Sequence, residues 1–99
     1  MILVTGTVRI RPERRQEAIE LALWMSKQTE SEPGCLGYRF FADLEDPSTI
    51  LVLERWESDD ALRAHFSTAH MAHFNAQLGA YLTESPTVVR YAIHQHGPL

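Results

Sequence analysis

Ile2, Val4, Val8 and Ile10 alternate with Leu3, Thr5, Thr7 and Arg9, a period of two rich in β-branched residues that predicts a first strand. Gly6 interrupts its apolar face and predicts a bulge or a close approach by another group. Pro12 then stands where a first helical residue belongs, with Glu13 in the first turn. Good helix formers continue to about Glu30. Ala18, Ile19, Leu21, Ala22, Leu23 and Met25 form a broad apolar arc. Trp24 falls outside it, as a half-exposed aromatic or as a contact with a second subunit.

Glu32-Pro33-Gly34 ends that helix, because proline cannot extend it and glycine supplies left-handed geometry. Leu36 to Leu44 reads as a second strand and Thr49 to Glu57 as a third, with the turn cluster Glu45-Asp46-Pro47-Ser48 between them. The third strand is apolar on both faces, Ile50 and Val52 against Leu51 and Leu53, which predicts a central position. Ser58 is a good N-cap, and Asp59 and Asp60 suit the first turn of a short helix to about Phe66 that buries Leu62, His65 and Phe66. Ser67-Thr68 interrupts this helix and caps another, whose stripe is His70, Met71, Phe74, Gln77, Leu78 and Tyr81. Thr87 to Gln95 closes the chain as a fourth strand.

The order β-α-β-β-α-β defines one α+β domain over residues 1–99, ferredoxin-like, with a four-stranded antiparallel sheet. Helices cover one sheet face. The other carries Leu3, Leu51, Leu53, Phe41 or their neighbours, too apolar to leave wet. Two such sheets packed face to face bury it, so a homodimer is expected.

Composition changes this picture little. An apolar fraction of 44% and a charged fraction of 22% over 99 residues are ordinary globular values. The net charge of −4, with nine scattered Lys and Arg, argues against nucleic acid as a partner. The lone Cys35 fits a reducing compartment and reads as structural. No basic leader opens the sequence, and no apolar run approaches the ~18 residues of a membrane span. A cytoplasmic protein with no membrane association is the expectation.

The candidate chemistry gathers between Leu51 and Phe74. His65 and His70 lie on apolar helix faces, either as hydrogen-bonded core imidazoles or as bases for a phenolic substrate. Trp56 is a core aromatic or a pocket residue. His65, His70 and His73 cross a helix break with no carboxylate falling into the set, and His94-x-His96 forms a weak chelating pair at best. No metal and no cofactor site is expected, and no phosphate loop, nucleophile elbow or dinucleotide fingerprint is present.

The run Glu54-Arg55-Trp56-Glu57-Ser58, followed by Leu62, His65-Phe66 and His70, resembles the antibiotic biosynthesis monooxygenase domain, a group of small dimeric α+β barrels. The Glu-Pro-Gly-Cys run at 32–35, Tyr38, Phe40 and the Asp-Pro turn agree. The resemblance implies a homodimer, and a cofactor-independent oxygenase acting with dioxygen on a small electron-rich aromatic such as a quinol or anthrone. Trp56 matches a pocket tryptophan of anthrone-oxidising relatives, whereas their Asn, Tyr and Arg are replaced here by Val52, Leu62 and Ala76. Asn75 stands where haem-degrading relatives place an axial histidine, so haem is not expected. The reading takes Trp56, His65 and His70 as catalytic and Phe40, Phe66, Phe74 and Tyr81 as substrate-binding. Storage of a hydrophobic ligand by a non-catalytic dimer and isomerisation of a keto metabolite are the alternatives.

Overall fold

The computed structural model describes residues 1–99. Strands β1 (Ile2–Arg9), β2 (Cys35–Ala42), β3 (Thr49–Trp56) and β4 (Thr87–Ala92) form one antiparallel sheet in the order β2-β3-β1-β4. Helix α1 (Arg15–Glu30) follows β1 after a single 3-10 turn at Pro12–Arg14. Helices α2 (Asp59–Phe66) and α3 (Ala69–Leu78) join β3 to β4, with a second 3-10 turn at Gly79–Tyr81. This is the ferredoxin-like α+β arrangement, with all three helices on one sheet face.

Strand alternation divides the buried from the open residues. Ile2 and Val4 of β1, Tyr38 of β2, and Ile50, Glu54 and Trp56 of β3 are buried beneath the helices. Their neighbours Leu3, Leu51, Leu53, Phe41, Val89 and Tyr91 face the other way. They adjoin one another across the sheet through the pairs Leu51↔Phe41, Thr5↔Leu53, Thr5↔Val89 and Leu3↔Tyr91. Phe41, Val89 and Tyr91 stand largely in solvent.

Several expected boundaries shift. The second strand begins at Cys35, and an irregularity between Cys35 and Gly37 turns Leu36 out to solvent. The last strand stops at Ala92, because β1, its sole neighbour in the sheet, begins at Ile2, which pairs with Ala92. Gly6 makes no bulge. It permits a close approach instead, since an added Cβ would meet Val52 Cγ1 at 2.8 Å. The apolar arc of α1 is only partly used: Ala18 and Met25 are buried, Leu23 is exposed, and outside the arc Thr29 is buried while Trp24 lies half-open, its ring centre 4.9 Å from that of His73. Phe66, expected inside, is 59% exposed because it is the last residue of α2, where the helix leaves the sheet.

Helix ends are fixed by local chemistry. Ser58 Oγ accepts from Ala61 N at 3.1 Å, and Asp59 and Asp60 complement the positive end of α2. Thr68 serves both sides of the helix break: its hydroxyl donates to the His65 carbonyl at 2.8 Å and accepts from Met71 N at 3.2 Å. Gly34 sits at φ 81°, and an added Cβ would lie 2.5 Å from Ala61 Cβ. That turn therefore sets how closely α2 approaches the start of β2. Gly34→Ala is expected to cost at least about 2 kcal/mol, from left-handed strain plus the clash. Adding Ala61→Gly, which itself removes about 1 kcal/mol of helix preference, relieves only the clash. Urea unfolding of the two single variants and the double variant checks this; purely additive losses would show that no clash exists.

Candidate functional site

Between the sheet and the helices lies a cavity of about 440 Å³, a size that suits a small organic ligand. Its floor comprises Val4, Gly6 and Val8 of β1, Phe40 of β2 and Val52 of β3. Leu62 of α2 and Met71, Phe74 and Leu78 of α3 form the roof. Gly6 leaves the floor without a side chain at its centre. No helix covers β4, whose six residues are all exposed, so Val88 and Arg90 line an open flank. There Arg90 meets Asp59 at 2.7 Å, and Arg63 reaches the same carboxylate at 3.2 Å.

The buried carboxyl on this wall is Glu54. Alternation along β3 sends it inward with Ile50, Val52 and Trp56. Its Oε1 accepts from Trp56 Nε1 at 3.0 Å, and no cationic side chain pairs with it. Burial pushes the Glu54 carboxyl up to about 7, against the lowering effect of the Trp56 hydrogen bond and with a smaller upward contribution from the charge of Glu32. Tyr38, also on the wall, is held protonated by burial. A carboxyl poised near neutrality in an apolar cavity is suited to taking and returning a proton.

A second polar cluster adjoins the first. Glu32 follows α1, His65 lies in the last turn of α2 and His70 in the first turn of α3. His65 Nδ1 and His70 Nε2 each lie 2.7 Å from Glu32 Oε2. A carboxylate only accepts, so His65 is the Nδ1–H tautomer and His70 the Nε2–H tautomer. Positions five apart on one continuous helix point about 140° apart. The break at Ser67-Thr68 removes that separation. His65 is 1% exposed, packs against the Trp56 ring at 4.9 Å and lines the cavity, and its Nε2 has no protein partner.

Of the residues singled out in the sequence, Phe40, His65, Phe66 and Phe74 line the cavity. Trp56 is fully buried and does not line the cavity itself, touching it through Glu54 and His65. His70 stands behind His65, on Glu32. Tyr81 lies apart, in the turn after α3, with the Arg14 guanidinium 4.9 Å from its ring centre. Cys35 is half-buried, and burial raises its thiol above the ordinary range, in keeping with an inert side chain. His73 is exposed and touches Trp24.

Glu32 and Glu54 were not singled out by sequence reasoning. For Glu54 the signal was available: a carboxylate in the same alternating register as Ile50, Val52 and Trp56 must be buried if they are. For Glu32 nothing local distinguished it from a helix-terminating residue.

These features define an α+β domain with an apolar cavity, one neutral-poised carboxyl and one carboxylate-backed imidazole. Residues 1–77 match the sequence profile of the antibiotic biosynthesis monooxygenase family. The Bacillus subtilis protein "Putative monooxygenase YcnE" is 29% identical over 90 residues, covering 91% of this chain and 95% of that one. Escherichia coli "Probable quinol monooxygenase YgiN" is 29% identical over 85 residues, covering 76% and 82%. Synechocystis "Uncharacterized protein sll1783" is 33% identical over 73 residues, 74% of this chain, which spans only half the length of that relative. Among solved structures, one described as an antibiotic biosynthesis monooxygenase superposes with a TM-score of 0.90 at 28% identity, covering 96% of this chain and 100% of that one. Rv0793 of Mycobacterium tuberculosis gives 0.92 at 26% identity, covering 98% of each.

The chain belongs to the antibiotic biosynthesis monooxygenase family. Membership supports a monooxygenase-like function on a small molecule, and no helix is long and apolar enough to cross a membrane.

The elevated Glu54 has a consequence for stability. Between its ordinary value of 4.5 and about 7, the folded chain holds a proton that the unfolded chain has released. Raising the pH through that window therefore removes stability, by about 3 kcal/mol in all, and the loss levels off above neutrality. Glu54→Gln keeps an acceptor for Trp56 and cannot ionise. Urea unfolding from pH 4 to pH 8 is expected to show a flatter profile for the variant, which becomes the more stable protein at pH 8. Parallel profiles would mean that Glu54 ionises normally.

Proposed function

We propose that this chain is a cofactor-independent monooxygenase of small hydroxylated aromatics of the quinol or anthrone type. The observation that carries the reading is the buried Glu54 carboxyl, held by Trp56 on the wall of an apolar cavity that His65 also lines.

The chemistry needs no external reductant. Glu54 takes a phenolic proton, and the resulting anion, unsolvated in the cavity, passes one electron to dioxygen. Superoxide and the aryl radical join through a new C–O bond, and Glu54 returns its proton to the terminal peroxide oxygen. His65 Nε2 then removes the hydrogen on the oxygenated carbon. The O–O bond breaks as the carbonyl forms, and hydroxide leaves with that proton as water. A quinol thus becomes a hydroxyquinone: one oxygen atom of dioxygen stays on the ring, and the other leaves as water with two hydrogens from the substrate. An anthrone balances in the same way, its ring methylene becoming a carbonyl as water departs. Trp56 acts through Glu54, by stabilising its anion, and His70 acts through Glu32, by completing the cluster that fixes the His65 tautomer. Phe40, Phe66 and Phe74 supply the apolar surface on which the aromatic lies.

Val52 and Leu62 on the cavity wall favour a second reading, storage of a hydrophobic molecule without turnover. The open sheet face supports a homodimer in either case, since Leu3, Leu51, Leu53 and Phe41 place four large apolar side chains on it, Leu51 beside Phe41. The cytoplasm is the proposed location.

Oxygen uptake with reduced 2-methylnaphthoquinone is expected above the autoxidation blank. Glu54→Gln should lower kcat by at least about a hundredfold with little change in KM. Saturable binding without uptake would favour storage. For assembly, Leu53→Asp places a charge in the centre of the open face, and sedimentation velocity is expected to show a dimer for the native chain and a monomer for this variant. A native monomer would leave the patch without a partner.

A further inference from the structure

We propose that Glu32, His65 and His70 form a binding site for a divalent transition-metal ion that competes with the catalytic use of His65. The second half of this statement rests on the reaction proposed above; the first does not.

Three elements deliver the donors. The Glu32 carboxylate oxygen, His65 Nδ1 and His70 Nε2 all lie within 4.8 Å of one another, and the two histidine nitrogens stand 2.7 Å from that oxygen. All three side chains are withdrawn from solvent: His65 at 1%, Glu32 at 9% and His70 at 16% exposure. A tetrahedral ion held at about 2.0–2.1 Å sets its ligands roughly 3.3 Å apart. The carboxylate oxygen therefore has to withdraw by about 0.6 Å from each nitrogen, and the two imidazole nitrogens have to close toward each other around the ion.

The electrostatics favour a cation. Every arginine ion pair lies elsewhere, at Arg9–Glu84, Arg14–Glu17, Arg63–Asp59 and Arg90–Asp59. Glu32 is thus a largely buried carboxylate with no Arg or Lys partner, and its charge is felt by the acidic Glu54 and by Cys35. A buried carboxylate faced only by imidazoles is stabilised strongly by a positive charge placed among them. Two imidazoles and one carboxylate suit zinc, cobalt or ferrous iron rather than magnesium or calcium, which prefer oxygen. The remaining Glu32 oxygen makes no hydrogen bond to protein and is free to become a further ligand.

Occupancy would change the chemistry of His65. In the reaction proposed above, His65 Nδ1 carries a proton donated to Glu32 and Nε2 is the acceptor. Coordination through Nδ1 moves the proton to Nε2. The cavity then faces an N–H donor, which cannot accept the hydrogen lost from the oxygenated carbon. The ion would act as an inhibitor of that step.

The test is titration of the metal-free protein with Co2+ alone, followed by its visible ligand-field bands, and with Zn2+ alone by calorimetry. One ion per chain is expected. Glu32→Gln and His70→Ala should each weaken binding at least about tenfold, while the double variant His94→Gln/His96→Gln should bind unchanged. Nitrogen-15 spectra of the native histidines provide a readout that does not depend on a variant folding: Zn2+ should shift His65 Nδ1 and His70 Nε2. Absence of saturable binding, or binding that follows His94 and His96, overturns the site. Inhibition of oxygen uptake by Zn2+ supports the competition. Binding without inhibition leaves the site standing and counts against His65 as the proton acceptor.

Discussion

The Glu32 carboxylate is the point on which the helical layer closes. It lies in the connection between α1 and β2, and it receives an imidazole from α2 and another from α3. Both helices are short, eight and ten residues, below the length at which helices persist alone. Their positions are therefore set by what they bury and what they bond. Leu62, His65 and Phe74 supply the buried contacts, and Glu32 ties the two helix ends to the same place. The polar cluster fixes more than a distance. By accepting from both rings it also fixes which nitrogen of each donates, Nδ1 of His65 and Nε2 of His70.

Beneath that layer, Glu54 is an unusual resident of a central strand. A carboxyl with one hydrogen-bond donor and no cation avoids much of the cost of burial by staying protonated until near neutrality. Ile50, Val52 and Trp56 occupy the same face of β3, and the Trp56 indole N–H offsets only part of that cost. The chain tolerates a group that hydrophobic residues of similar volume would outperform in stability. Such conflicts between local rule and global fold concentrate at working sites. The same burial that destabilises the ionised form gives the group an affinity for protons matched to neutral pH.

The architecture was legible because period-two alternation, the Pro12 and Pro33-Gly34 punctuation and the Ser58 cap are local signals. The central place of β3 followed from Leu51 and Leu53 on one face and Ile50 and Val52 on the other. The site was legible in part. His65 and His70 were visible on apolar faces, and the Ser67-Thr68 break was visible as a cap. Their shared partner was not, because Glu32 is 33 residues from His65 and 38 from His70, and only the packing of α1 and β2 brings it near. Phe66 illustrates the opposite error. Periodicity assigned it to the interior, but its place at the end of α2 leaves it exposed at the cavity wall, a matter of where the helix stops rather than of its pattern.

Strand β3 also joins two faces that have separate tasks. Leu51, Leu53 and Arg55 look toward the open side of the sheet, while Val52, Glu54 and Trp56 look toward the helices. A one-residue slip of register would exchange them, exposing Glu54 and burying Arg55. The two faces therefore constrain each other: the register that turns Leu51 and Leu53 to the open side is the one that keeps the carboxyl inside the cavity. An assembly that covers Leu51 and Leu53 would stiffen the strand that carries Glu54 without contacting the cavity. The uncovered β4 flank, with Arg90 on Asp59, is an open side of the cavity. Entry there disturbs neither the Glu32 cluster nor the sheet register. Access and proton chemistry thus depend on different parts of one small fold.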